Sequence, residues 1–115
     1  MIKLYGIPNC DTVKKARRWL DEHGVAYAFH DFKKQGVPED RLDAWMAARG
    51  WEKLVNRQGT TWRKLDPAVQ AGATGPDSAK ALMLAQPSVI KRPVVEAGPE
   101  VLVGFDEAAY AKLAG

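Results

Sequence analysis

A chain of 115 residues, 46% hydrophobic and 27% charged, is the size of one globular domain with one core, and it needs neither a disulfide nor a metal to fold. Its 17 basic and 14 acidic residues leave a formal charge of only +3, and its single cysteine excludes an internal disulfide and favours a reducing compartment. The chain opens on Met1-Ile2-Lys3-Leu4-Tyr5 with no long apolar segment and no cleavage-site pattern, so a cytoplasmic protein without a membrane span is expected.

Residues 2–5 alternate apolar and polar and then meet Gly6 and Pro8, a short strand followed by a tight turn. From Asp11 to about Glu22, Val13, Ala16, Trp19 and Leu20 fall on one helical stripe, and Gly24 suits the C′ position. Cys10 therefore stands at a helix start, where unpaired backbone N–H groups and the positive end of the helix dipole favour thiolate over thiol. Lys14 and Lys15 add to that field and Asp11 opposes it, so the expected pKa shift is downward. A lone cysteine is most often a small buried hydrophobe, but this placement favours chemistry. The basic run Lys14-Lys15-Ala16-Arg17-Arg18 is followed by Asp21 and Glu22, four residues after Arg17 and Arg18, and has no interleaved aromatics. It reads as a solvated helix face, and nucleic acid is not an expected partner.

Residues 25–32 form a second β-branched and aromatic run. Strand, helix and strand in so short a span make a βαβ unit with parallel strands and a right-handed crossover. Ligands of such sheets sit beyond the carboxyl ends of the strands, where Cys10 would be. Residues 33–37 read as a loop, and Pro38-Glu39-Asp40 as the start of a helix that buries Leu42, Trp45, Met46 and the Arg49 stem before Gly50. Residues 51–54 add a turn. Residues 55–65 carry turn and capping types, a loop feeding a short helix from Thr60 or Thr61. Asp66-Pro67 pairs an N-cap with proline at N1, and Gly72 and Gly75-Pro76 close that segment. A helix over residues 77–85 packs Ala79, Leu82 and Met83, and Pro87 stops it.

Residues 89–95, interrupted by Lys91-Arg92-Pro93, and residues 101–105 flank Ala97-Gly98-Pro99-Glu100 as a β-hairpin. Phe105, Asp106 and Tyr110 take the N′, N-cap and N4 spacing of a hydrophobic staple on a terminal helix. The order is β-α-β, a helical insertion over about 36–88, then β-β-α: an α/β fold with a mixed sheet, residues 1–115 forming one domain. His23 and His30 are not at metal-ligand spacing to Cys10 or to each other, so no metal is expected. The tryptophans are read as core, except that Trp62, in a motif-bearing loop, could equally line the site.

Tyr5-Gly6-Ile7-Pro8-Asn9-Cys10-Asp11-Thr12 resembles the cysteine loop of the ArsC-like family, which includes arsenate reductases, Spx regulators and YffB-like proteins. Leu54-Val55-Asn56-Arg57-Gln58-Gly59-Thr60-Thr61-Trp62-Arg63-Lys64-Leu65 and Ile90-Lys91-Arg92-Pro93-Val94-Val95 resemble its two downstream motifs. All three occur in order and together span nearly the whole chain, and the YffB-like subgroup is the most similar. The resemblance implies a thioredoxin-like fold with a helical insertion subdomain, Cys10 as nucleophile, and a cis Arg92-Pro93 bond. It also implies glutathione and glutaredoxin as thiol partners rather than a tightly bound cofactor. Asn9, Thr12, Lys14, Asn56, Arg57, Thr60, Arg92 and Pro93 become candidates for binding the substrate, an oxyanion or other small molecule, or glutathione. Two departures deplete the family's arginine clamp: Asn56 stands at the middle arginine and about Gly104 at the final one. Val13 stands where Spx has a second cysteine, so no dithiol switch can form. The expectation is a glutathione-dependent monothiol reductase, and the alternative is a non-catalytic, Spx-like partner-binding or regulatory protein.

Overall fold

The computed structural model describes residues 2–114, which form two compact units: residues 2–36 with 92–114, and Val37–Lys91. The first unit carries β1 (Ile2–Gly6), α1 (Asp11–Glu22), β2 (Tyr27–Asp31) and α2 (Phe32–Gln35). The second holds α3 (Glu39–Arg49), α4 (Trp51–Leu54), α5 (Thr60–Arg63), α6 (Pro67–Gly72), α7 (Pro76–Ala85) and a 3-10 turn (Pro87–Val89). The chain then returns to the first unit with β3 (Val94–Ala97), β4 (Glu100–Val103) and α8 (Glu107–Ala114).

The sheet has the order β2-β1-β3-β4. β1 runs parallel to β2, with Leu4 opposite Phe29, and antiparallel to β3, with Leu4 opposite Val95. β3 and β4 form the hairpin, with Val94 opposite Val103. This is the thioredoxin-like arrangement expected of the sequence. Leu4 and Val95 from the sheet pack with Val13, Ala16 and Leu20 of α1 and Tyr110 of α8, all fully buried. Each such large aliphatic side chain contributes about 2 kcal/mol by burial. The staple forms as the spacing predicts: the Phe105 and Tyr110 rings meet edge to face at 4.9 Å, and Asp106 Oδ1 accepts from the Ala108 N–H at 3.1 Å.

In the helical unit, Leu42, Trp45, Leu54, Met83, Val89 and Ile90 are fully buried. A bridge between Val55 and Ile90, flanked by Asn56 N–H to Val89 O (2.8 Å) and Lys91 N–H to Leu54 O (2.7 Å), ties the middle motif to the segment leading into β3. Asp66 caps α6 through the Ala68 N–H at 2.9 Å, with Pro67 at N1.

Several boundaries differ from the sequence reading. β2 is shorter than residues 25–32, because Asp31 caps a single helical turn that takes Phe32 and what reads as loop. Pro38 sits before α3 rather than inside it, and Arg49 is exposed rather than buried along its stem. β3 begins only at Val94: Val89 lies in the 3-10 turn, and Ile90 makes its one bridge within the helical unit. No helix among the described residues is long and apolar enough to cross a membrane.

Candidate active site

Cys10 occupies the N-cap of α1 in extended backbone (φ −86°, ψ 127°). Its own N–H bonds to Ile7 O at 3.2 Å and its carbonyl accepts from the Lys14 N–H at 2.9 Å, so the Ile7-Pro8-Asn9 turn is closed and the sulfur is held at the first turn of the helix. Gly6 is needed just before this turn. A Cβ there would lie 2.7 Å from Val13 Cγ2, so the end of β1 and the first turn of α1 pack as closely as a glycine allows.

Burial pushes the Cys10 thiol up, because it disfavours the charged form. Acting against it are the Val13 N–H, the Arg92 guanidinium within hydrogen-bonding reach of the sulfur, the charge of that guanidinium, and the Thr12 N–H. Together they win, and the pKa lies below the ordinary thiol value. Cys10 is partly exposed, so the thiolate so favoured is open to a reaction partner. The sequence reading expects backbone N–H groups of the first helical turn to favour the thiolate, and the ones that do so are those of Thr12 and Val13, two and three residues after the N-cap.

Arg92 is half-buried and precedes β3, and its peptide bond to Pro93 is cis, as the family resemblance implies. Pro93 is buried, and its carbonyl accepts from the Gly104 N–H at 2.8 Å. Gly104 is buried and has φ +83°, a conformation that a side-chain-bearing residue adopts only with strain.

Of the candidate residues, the structure brings Cys10, Thr12, Arg92 and Pro93 into one unit with Asn9 and Lys14, both exposed beside the cysteine turn. Asn56, Arg57 and Thr60 belong to the helical unit. Asn56 Oδ1 accepts from the Gln58 N–H at 3.2 Å and its carbonyl from the Gly59 N–H at 3.2 Å, so this side chain shapes a turn into α5. Thr60 opens α5 and is exposed. The Arg57 guanidinium lies between two indoles, 5.6 Å from the Trp51 ring centre and 5.7 Å from that of Trp62.

Among the described residues, no three His, Cys, Asp or Glu side chains gather where they could hold a metal ion. His23 stacks on Trp19 at 3.8 Å with Nδ1 bonded to Trp19 O, and His30 Nε2 bonds to Gly36 O, both at 2.8 Å. The chemistry open to the site is that of a thiolate beside a guanidinium and a row of backbone donors. Such a group attacks an electrophilic centre whose leaving group or oxyanion the donors can receive.

Comparison with known proteins bears on the family and the fold. A family model described as the ArsC family matches residues 5–113. A solved structure described as the YFFB protein is 54% identical, with a TM-score of 0.94 and all of both chains covered. The solution structure of an arsenate reductase (ArsC) related protein from Brucella melitensis is 50% identical, with a TM-score of 0.76, covering 96% of this chain and 92% of that one. The global transcriptional regulator Spx of Streptococcus agalactiae is 27% identical over 93% of this chain and 78% of its own.

Proposed function

This chain belongs to the ArsC family, and we propose that within it the protein is a glutathione-dependent monothiol reductase with Cys10 as its nucleophile. The observation that carries the reading is the Cys10 thiol at the start of α1, its pKa lowered against the cost of burial by Val13 and Thr12 amides and by Arg92. Thiol exchange needs an attacking thiolate near ambient pH, which this arrangement supplies.

The Cys10 thiolate attacks one sulfur of a disulfide. A Cys10–S bond forms, the old S–S bond breaks, and the departing sulfur leaves as a thiolate. The thiolate of glutathione then attacks the sulfur bound to Cys10, forming a new disulfide and returning Cys10 as thiolate. No second cysteine is present to resolve the adduct, which is why an external thiol is required. Arg92 stabilises the thiolate in both steps, while Lys14, Asn9 and Thr12, in or beside the cysteine turn, are the groups that would receive glutathione carboxylates. Asn56 is engaged in its own turn and Gly104 carries no side chain, so the clamp for a tetrahedral oxyanion is reduced, which favours a disulfide over arsenate as substrate. Glutathione and a free thiol belong to a reducing compartment, and the cytoplasm is the proposed location.

The test is intact-mass measurement after incubation with oxidised glutathione. A single glutathione adduct on wild type that is absent from Cys10→Ser supports the reading, and no adduct overturns it. A second reading, partner binding of the Spx kind, is favoured by the similarity to the Spx regulator. Under it, Cys10→Ser would keep every partner of the wild type, and the wild type would show no reductase turnover.

A further inference from the structure

Arg92 can serve Cys10 only if its own backbone is held, and beside the ladders that join β3 to β1 and β4 one further contact leads from the residue after Arg92 to α8. Lys91 N–H bonds back to Leu54 in the helical unit, and within the sheet unit the Pro93 carbonyl accepts from the Gly104 N–H at 2.8 Å. Gly104 is the buried hinge, at φ +83°, where the chain leaves β4 for α8. Its carbonyl is bonded in turn by the Tyr110 hydroxyl at 3.2 Å. Tyr110 is fully buried, with its ring edge-on to Trp19 at 5.7 Å and to Phe105 at 4.9 Å, and burial keeps its phenol protonated as a donor.

We propose that Tyr110 is a positioning residue for the site: its hydroxyl fixes Gly104, Gly104 fixes Pro93, and Pro93 holds Arg92 against the Cys10 sulfur. The staple spacing explains the ring of Tyr110 but not its hydroxyl, since phenylalanine would pack as well. A hydroxyl retained in a fully buried place has a partner to satisfy, and here the partner is the carbonyl of Gly104, whose amide bonds to the Pro93 carbonyl next to Arg92. The inference rests on Cys10 being an activated nucleophile.

The experiment follows the rate of Cys10 alkylation by iodoacetamide as a function of pH. Tyr110→Phe removes the donor and keeps the ring. The rate at pH 6 is expected to fall by about threefold with the high-pH plateau unchanged, as a reduced thiolate fraction requires. 4-Methylphenylalanine at the same position, which fills the hydroxyl's space without donating, gives the same loss and serves where Tyr110→Phe does not fold. 4-Aminophenylalanine, which still donates, restores the wild-type profile. Phe105→Leu disturbs the packing of Tyr110 and keeps its hydroxyl, and leaves the profile in place. Non-donor variants that superimpose on an activated wild type overturn this inference alone, as does an equal loss in Phe105→Leu. A wild type with an ordinary thiol profile sinks the reading of Cys10 instead.

Discussion

Gly6 and Val13 meet so closely that a single added methyl group would lie 2.7 Å from Val13 Cγ2. Val13 is fully buried, and its β-branched side chain has few rotamers with which to yield. The contact sets the spacing of β1 and α1, and the cysteine turn spans the gap. Gly6→Ala is expected to cost about 1–3 kcal/mol through overpacking, with the melting temperature falling by several degrees. Thermal unfolding followed by circular dichroism checks it. An unchanged melting temperature would mean that the turn relaxes freely and does not hold the sulfur.

Arg92→Gln removes the guanidinium that helps lower the Cys10 pKa. With that contribution gone, burial pushes the thiol back up, so the thiolate fraction falls at every pH below the midpoint. Alkylation at pH 6 is expected to slow roughly three- to tenfold, with the same plateau at high pH. Arg92→Lys keeps the charge and loses the fork, and falls between the two. The linked stability has a definite sign. The folded pKa of Cys10 is lowered, so its contribution is present above the unfolded thiol pKa and is lost as pH falls through the folded value, and Arg92→Gln shrinks it. An alkylation profile for Arg92→Gln that matches wild type would remove Arg92 from the site.

Asp31 shows what the sequence did and did not make legible. Its carboxylate accepts from the Lys33 N–H at 2.8 Å while Gln35 Oε1 accepts from the Asp31 N–H at 3.1 Å, and these two contacts convert the end of β2 into α2. A four-residue helix has no period to read, and Asp31 sits inside an alternating strand pattern. The longer elements were legible because period and caps agree: Val13, Ala16 and Leu20 with Gly24 for α1, Asp66-Pro67 for α6, and Phe105-Asp106-Tyr110 for α8. In the site, the cysteine turn and the helix-start amides could be read locally, whereas the Gly104–Pro93 contact depends on the pairing of β3 with β4 and left only a weak trace. Asp31→Ala is expected to lose about 1 kcal/mol of stability by urea unfolding, with Asp31→Asn retaining most of it. Equal losses in the two would point to the buried charge rather than the cap.

The resemblance of its motif makes Arg57 a candidate for glutathione, and the structure gives it two aromatic neighbours, Trp51 and Trp62, at 5.6 and 5.7 Å. Each exposed cation–π contact is worth about 0.5–1 kcal/mol, so Arg57→Met is expected to lose about 1 kcal/mol and to alter tryptophan emission. The guanidinium thereby links Trp51 of α4 to Trp62 of α5. Titration with reduced glutathione, followed by NMR, should therefore show a smaller loss of affinity in Arg57→Met than in Arg92→Gln. If the order is reversed, with Arg57→Met folding as stably as wild type and binding glutathione more weakly than Arg92→Gln, then the middle motif supplies the anion site and Arg92 serves the sulfur alone.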